Sequence, residues 1–424
     1  MLKYLGIFTL FINSVFSYLN EPFNFHTAIA NKGIVVSWST KYEYRNKPIV
    51  EYGFEYKKLK YISKGISINY DISSTHHHVL LKNLNSYSKY YFKAGDGIIM
   101  SNINTFISQP NIDTKNLRIA IYGDMGVENS NITMERIKDI EYDMLIHLGD
   151  ISYADDKGLE IGNNKYYENT YNTFMASVEI FSKNQPYMVC PGNHDISCHS
   201  VSDLGCPYNL RNFTAFNSRF KMPENGVKNM WYSYDYGPIH FISINTETDY
   251  PKSPTNPSTI IGSGSGGDFG NQLEWLENDL IKANKNRNII PWIIVYGHRP
   301  LYSKIIFDWP LNAQKYTKRA FEPLFNKYNV NIYISGHVHA YERNNKIFEN
   351  EINDNGTYHI ICGSPGSQEK IDKHGYILEH KYNLFSNYKD YGWGELFIYN
   401  KTTLEWRFYN SKDGNINDSF IFKL

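Results

Sequence analysis

Charge of one sign in excess is missing from this chain. Lys+Arg and Asp+Glu each total 43, so no global field draws it to nucleic acid or to an anionic membrane, and partner choice must come from a local site. Cysteine is scarce. None of the four cysteines has metal-site spacing, which excludes a thiolate-held metal. Cys198 and Cys206 bracket the loop-like CHSVSDLGC and are placed to pair as a local staple, while Cys190 and Cys362 stand beside apolar runs that suit buried thiols. Long apolar runs are absent after the first residues, so no later segment is read as spanning a bilayer. A phosphate loop is absent too. The stretch SPTNPSTIIGSGSGGDFG from Ser253 is rich in glycine, serine and proline but lacks the Gly-Lys-Ser/Thr that cradles a nucleotide, and it reads as a surface loop ahead of a helix.

What is present begins with MLKYLGIFTLFINSVFS, where Lys3 precedes an apolar run from Tyr4 to Phe16 closed by Ser17. This pattern predicts a signal peptide over residues 1–17, with an uncleaved anchor as the alternative, and a mature chain in the secretory route or a vacuolar lumen. Glycosylation acceptors at Asn131, Asn212, Asn355, Asn400 and Asn417 add little in an Asn-rich chain. With 42% hydrophobic and 20% charged residues the composition is globular. The 36 tyrosines read as compositional bias.

Two textures divide the chain. Residues 18–108 carry short alternating runs, GIVVSWST, IVEYGFEY, HHHVLLKNL, KYYFKAG and NINTFIS, between polar turns, and predict a small β-sandwich. The polar stretch 109–116 reads as a linker. From 117 to 424, apolar runs such as LRIAIYGD, DMLIHLGD and IIPWIIVYGH alternate with helical text such as NQLEWLENDLIKAN, which predicts an α/β domain with ligands at the carboxyl ends of its strands. The run His76-His77-His78 opens a strand whose alternation splits it between faces, so it is read as fortuitous. His147 and His240, inside apolar strand text, are assigned to packing or a local hydrogen bond.

Chemistry concentrates in five motifs: Gly123-Asp124-Met125-Gly126, Gly149-Asp150-Ile151-Ser152-Tyr153, Gly192-Asn193-His194-Asp195, Val295-Tyr296-Gly297-His298 and Gly336-His337-Val338-His339. Each follows an apolar run, and its glycine lets the backbone turn so that the next side chain faces a shared site. Singly each motif is ordinary turn chemistry. Together they supply carboxylate, amide, phenol and imidazole ligands without cysteine, a set suited to two borderline or hard cations clamping a displacement at phosphorus.

These motifs, in this order, resemble the purple acid phosphatases of the calcineurin-like metallophosphoesterase superfamily, and the tyrosine of the second motif separates that family from most relatives. VEYGF, HHVLLKNL and YYFKAGDG resemble its fibronectin-III-like N-terminal domain, and the segment YGWGELFIYNKTTLEWRFYNSKDGNINDSFIF resembles its closing strands. The two-domain layout is similar to that of the plant-type members.

The resemblance implies that Asp124, Asp150, Tyr153 and His339 hold Fe(III), with Asp150 bridging to a divalent Fe, Zn or Mn held also by Asn193, His298 and His337. It implies that His194 contacts the substrate phosphate and protonates the leaving group of a phosphomonoester attacked by a metal-bound hydroxide. One departure stands out. Where plant and small mammalian members place a second substrate histidine, nine residues after His298, this chain has Phe307 followed by Asp308. Arg299 and Asp308 are therefore offered as substrate contacts. Competing readings are a nucleotidase or phosphodiesterase of the same superfamily, or an adhesive β-sandwich carrying a catalytically weak phosphatase domain. No nucleic-acid partner and no stable membrane insertion are expected.

Overall fold

The computed structural model describes residues 20–70, 73–156, 164–199, 205–255, 266–305, 311–372 and 378–424. The predicted signal peptide, the centre of the Ser253 loop, and Phe307 with Asp308 lie outside these residues.

The N-terminal unit has eight strands: β1 Phe23–Ala30, β2 Gly33–Thr40, β3 Ile49–Gly53, β4 Tyr61–Lys64, β5 Ile66–Ile68, β6 Thr75–Lys82, β7 Lys89–Gly95 and β8 Asn104–Ile107. They form two four-stranded sheets, β1-β2-β6-β5 and β4-β3-β7-β8, with Trp38, Val50, Val79, Phe92 and Phe106 buried among them. The sequence pattern does not reveal β1. Its FNFHTAIA is buried almost throughout, so the alternation that marks a half-exposed strand is missing.

The second unit opens with β9 Leu117–Tyr122, helix α1 Asn131–Lys138, β10 Met144–His147, helix α2 Asn164–Ser182 and β11 Tyr187–Val189. Strands β9, β10 and β11 run parallel. After the short helix α3 Thr214–Arg219 come β12 Tyr232–Tyr236, β13 Ile239–Ser243, helix α4 Gln272–Lys285, β14 Trp292–Tyr296, helix α5 Ala313–Lys327 and β15 Ile332–Ser335. The chain closes with β16 Tyr341–Phe348, β17 Glu351–Ile352, β18 Thr357–Cys362, β19 Asn383–Asn387, β20 Gly392–Asn400, β21 Thr403–Asn410 and β22 Ile416–Lys423.

Two mixed sheets result. One is ordered β11-β10-β9-β20-β21-β22, and the other β12-β13-β14-β15-β18-β16-β17 with β19 beside β16. On β14, Ile294 joins an apolar cluster with Ile119, Ile121, Leu396 and Trp406 of the opposite sheet. Its neighbours Ile293 and Val295 pack with Leu276 and Leu280 of α4 and Phe321 and Phe325 of α5. The strand is thus covered on both faces, which explains its unbroken apolar text. Helix α4 begins where Asn271 Oδ1 accepts the Glu274 N–H at 3.2 Å, an N-cap.

The two units share a polar seam. Glu168 of α2 and Arg219 of α3 are both buried and pair at 2.5 Å. Tyr70 Oη and Ser73 Oγ of the β-sandwich donate to the same carboxylate at 2.8 and 3.0 Å. His76 and His78 are buried here, hydrogen-bonded to Ser39 and Ser37, and His77 between them is buried on the other face of β6 against Thr40 and Ser67. His78 also reaches Ser218 O at 2.9 Å. Cys198 and Cys206 are joined in a disulfide, and Cys190 and Cys362 are buried thiols. Among the described residues no helix is long and apolar enough to cross a membrane.

Candidate metal centre

The five motifs lie just past the carboxyl ends of β9, β10, β11, β14 and β15. Because β9–β10–β11 and β13–β14–β15 are each parallel, these ends open on the same edge of both sheets. The turns are tight. Asp124, Asp150, Tyr153 and His337 all adopt positive φ, a conformation that costs free energy in non-glycine residues and clusters at functional sites. Gly149 (φ +84°) makes the second turn possible, since a Cβ there would lie 2.8 Å from both Gly192 N and His298 Nδ1.

The residues the sequence singled out converge in two groups. In one, Tyr153 Oη lies 2.6 Å from His339 Nε2 and 3.3 Å from Asp124 Oδ1. In the other, His298 Nε2 lies 3.0 Å from Asn193 Oδ1, 3.1 Å from Asp150 Oδ2 and 3.2 Å from His337 Nδ1. Asp124, Asp150, Tyr153, His298 and His339 are buried. His298 Nδ1 donates to Leu148 O and His339 Nδ1 to Lys370 O, both at 2.8 Å, so each ring turns Nε2 inward. Backbone N–H groups steady the carboxylates: Asp124 accepts from His337 N and Asp150 from His194 N.

This donor set fits two cations. Carboxylate, amide and imidazole acceptors turned on one another in a buried space need positive charge between them. Tyr153 makes the point most strongly. Burial first, then the charges on Asp124 and Asp150, pushes its phenol well above the usual range, so phenolate ligation there demands a strong Lewis acid.

Beside this centre His194 Nδ1 lies 2.8 Å from Asp155 Oδ2 and 3.3 Å from Asp156 Oδ1, which turns Nε2 toward Asp150 Oδ2 (3.9 Å) and Glu369 Oε1 (3.7 Å). Burial works against a charged ring, but the carboxylates of Asp155 and Asp150 outweigh it and hold His194 well above the ordinary histidine range. Asp155, desolvated in turn, is pushed up to about 7.

Sequence reading missed Asp155, Asp156 and Glu369. It also missed Asp195, whose carboxylate accepts the N–H groups of Asp150 and Gly192 at 3.0 and 2.9 Å and so fastens the second motif to the third. The one available signal was the acidic pair following Tyr153-Ala154. Arg299 is buried, its guanidinium against Glu247, His337 and Asn193. His147 hydrogen-bonds Tyr187 at 2.5 Å and His240 lies between Asp235 and Asp279.

Residues 117–341 match the family model described as calcineurin-like phosphoesterase. Residues 22–108 match the purple acid phosphatase N-terminal domain, and 356–419 the iron/zinc purple acid phosphatase-like protein C. The chain belongs to the purple acid phosphatase family. Among relatives of this family, acid phosphatase A of Cryphonectria parasitica is 30% identical, with 95% of this chain and 91% of the relative covered. Purple acid phosphatase 18 of Arabidopsis thaliana is 28% identical over 92% of this chain and 82% of its own. The fold is shared with the purple acid phosphatase PPD1 from yellow lupin seeds, at a TM-score of 0.77 and 23% identity, covering 95% of this chain and 74% of that one. The enzyme class is therefore that of the acid phosphatases, and the family's use of a binuclear metal agrees with the paired donor groups.

Proposed function

We propose that this purple acid phosphatase family member hydrolyses small phosphomonoesters in the secretory route, with Fe(III) held by Asp124, Asp150, Tyr153 and His339 and a divalent Fe, Zn or Mn held by Asp150, Asn193, His298 and His337. The observation that carries the reading is the convergence of these seven side chains from five strand ends into two groups, with Asp124, Asp150, Tyr153, His298 and His339 buried. When bound, the cations supply Lewis acidity toward an attacking water and neutralise charge on the phosphoryl oxygens.

The chain's own residues do the rest. Asp155 holds His194 by Nδ1, leaving Nε2 to face the reacting ester, where its proton passes to the departing alkoxide oxygen. Asp195 keeps the Asp150 and Asn193 turns together, so the two groups keep their spacing. Glu369 lies against both His194 and His339, at 3.7 and 3.8 Å, and adds negative charge beside the proposed proton donor. Burial of the ligands keeps bulk water from competing with the phosphate. Metal analysis and a visible spectrum of the purified protein test this reading. Two bound metals, one of them iron, with a phenolate-to-iron band support it, and colourless protein with two Zn or Mn ions favours a nucleotidase or phosphodiesterase.

A further inference from the structure

The second motif reaches the site through a constrained backbone. Asp150, Ser152 and Tyr153 all lie in the left-handed region, at φ +55°, +76° and +52°, and none is a glycine. Such a run persists only where its surroundings hold it in place. Ahead of Tyr153 the hold is made through main-chain N–H groups: Ser152 N donates to Met125 O at 3.1 Å, and Asp150 N to Asp195 Oδ2 at 3.0 Å. At Tyr153 itself it is made by a side chain. Gln368, from the loop after β18, donates Nε2 to Tyr153 O at 2.7 Å. A carbonyl oxygen only accepts, so the amide presents its nitrogen here, and a thioether of similar length has no hydrogen to give.

The loop is fastened so that Gln368 arrives at this point. Gly366 O accepts from Gly126 N at 2.9 Å, and Ser367 O from Asn129 Nδ2 at 2.8 Å. Gly126, the last residue of the first motif, is a second and independent sign. A Cβ there would lie 2.5 Å from Gln368 Oε1 and 3.2 Å from Ser367 Cα, and its φ lies outside the left-handed region. That glycine is required by the close approach of Gln368 and not by a turn.

We propose that Gln368 is a positioning residue for the site: by fixing the Tyr153–Ala154 peptide it sets how the Tyr153 phenol meets Asp124 and His339, and where the chain sets out for Asp155. The inference rests on the ligand assignment proposed above. Tyr153 is fully buried. Its Oη lies 2.6 Å from His339 Nε2 and 3.3 Å from Asp124 Oδ1, and its ring centroid 4.4 Å from that of His194. A backbone rotation at Tyr153 shifts all three contacts together. It also displaces Asp155, two residues on, whose Oδ2 lies 2.8 Å from His194 Nδ1. One amide thus bears on both the phenol and the partner of the proposed proton donor.

The test is the visible spectrum of the purified full chain carrying Gln368→Met, with metal content and steady-state kinetics measured on the same samples. The phenolate-to-iron band should move from its wild-type wavelength while two metals per chain are retained, and kcat should fall by about 10- to 100-fold with KM little changed. A residue that only stabilised the loop would lower the melting temperature and leave the band in place. A band at the wild-type wavelength therefore overturns the proposal, whatever the activity does. Should Gln368→Met not fold, Gln368→Asn serves, since its amide is one carbon too short to reach Tyr153 O, and the same two outcomes apply. A wild-type protein without a phenolate-to-iron band sinks the ligand assignment and this inference with it. A wild-type band that the variants leave unmoved sinks this inference alone.

Discussion

At the scale of single residues, the site separates groups that would hold cations from groups that would move a proton, and mutation should separate them as well. His194→Ala removes the proposed proton donor without removing a ligand, so kcat should fall by about 10²- to 10⁴-fold while metal content stays at the wild-type value. Asp155→Asn keeps the shape of the partner but not its charge, and should lower kcat in the same sense with KM little changed. Metal loss in either variant, measured by elemental analysis, would contradict this division of roles. The positions of the seven proposed ligands were legible because Asp124, Asp150, Asn193, His298 and His337 directly follow a glycine at the end of an apolar run, where elementary backbone geometry brings the side chain to a strand end, and Tyr153 and His339 stand three and two residues further along the same loops. Asp155 was not legible. Its meaning comes from a contact with His194, 39 residues along the chain, and nothing local to Ala154-Asp155-Asp156 reports it. Arg299 was noticed for its place beside His298, but the sequence could not show that its guanidinium turns inward to Glu247.

At the scale of elements, the seam between the β-sandwich and α2–α3 is a polar interface buried from solvent. Glu168 and Arg219 satisfy each other there, and removing one partner leaves a buried charge alone. Glu168→Ala should therefore destabilise the protein by roughly 3–5 kcal/mol, read from denaturant unfolding; a change below ~1 kcal/mol would mean that Tyr70 and Asn172 can satisfy Arg219 unaided. The same seam carries His26 on β1 and His76 and His78 on β6, with His77 on the opposite face of β6. Burial holds His26 at about 4, His77 and His78 at about 3, and His76 well below the histidine range. Each is neutral in the fold, while the unfolded chain takes up protons below the ordinary histidine value near 6.5. The unfolded state binds more protons as pH falls, so stability drops from pH 6.5 down through about 4 and 3, each group adding about 1.4 kcal/mol per pH unit over its window. His240 has the opposite sign. Asp235 and Asp279 overcome its burial and raise it to about 9, so its contribution is complete below pH 6.5 and lost as pH rises through about 9. Urea midpoints at pH 4.5 and 6.5 check the balance, and a flat profile would contradict it. The seam was the least legible part of the fold. Strand β1 loses its alternation through burial on both faces, β4 and β5 are only four and three residues long, and the histidine run, read as fortuitous, is hydrogen-bonded throughout.

At the scale of the whole molecule, an architecture of a β-sandwich ahead of two mixed sheets positions chemistry without committing to it. The strand ends of both sheets must stay in register for Asp124 and Tyr153 from one sheet to meet His339 from the other, which ties site geometry to the packing of Ile119, Ile121, Ile294 and Trp406 between the sheets. Cations binding only the folded state should stabilise it, by about 2.7 kcal/mol at a hundredfold excess over Kd, so chelation should lower the melting temperature. The central claim is that Tyr153 binds iron as a phenolate within a two-metal centre. The most direct measurement is the visible absorption spectrum of purified wild-type and Tyr153→Phe protein, recorded with elemental analysis of the same samples. The account predicts a coloured wild-type protein with two metals per chain, one of them iron, and a variant that keeps its fold but loses the band. A colourless wild-type protein carrying two metals and no iron, or a band that survives in Tyr153→Phe, would contradict it.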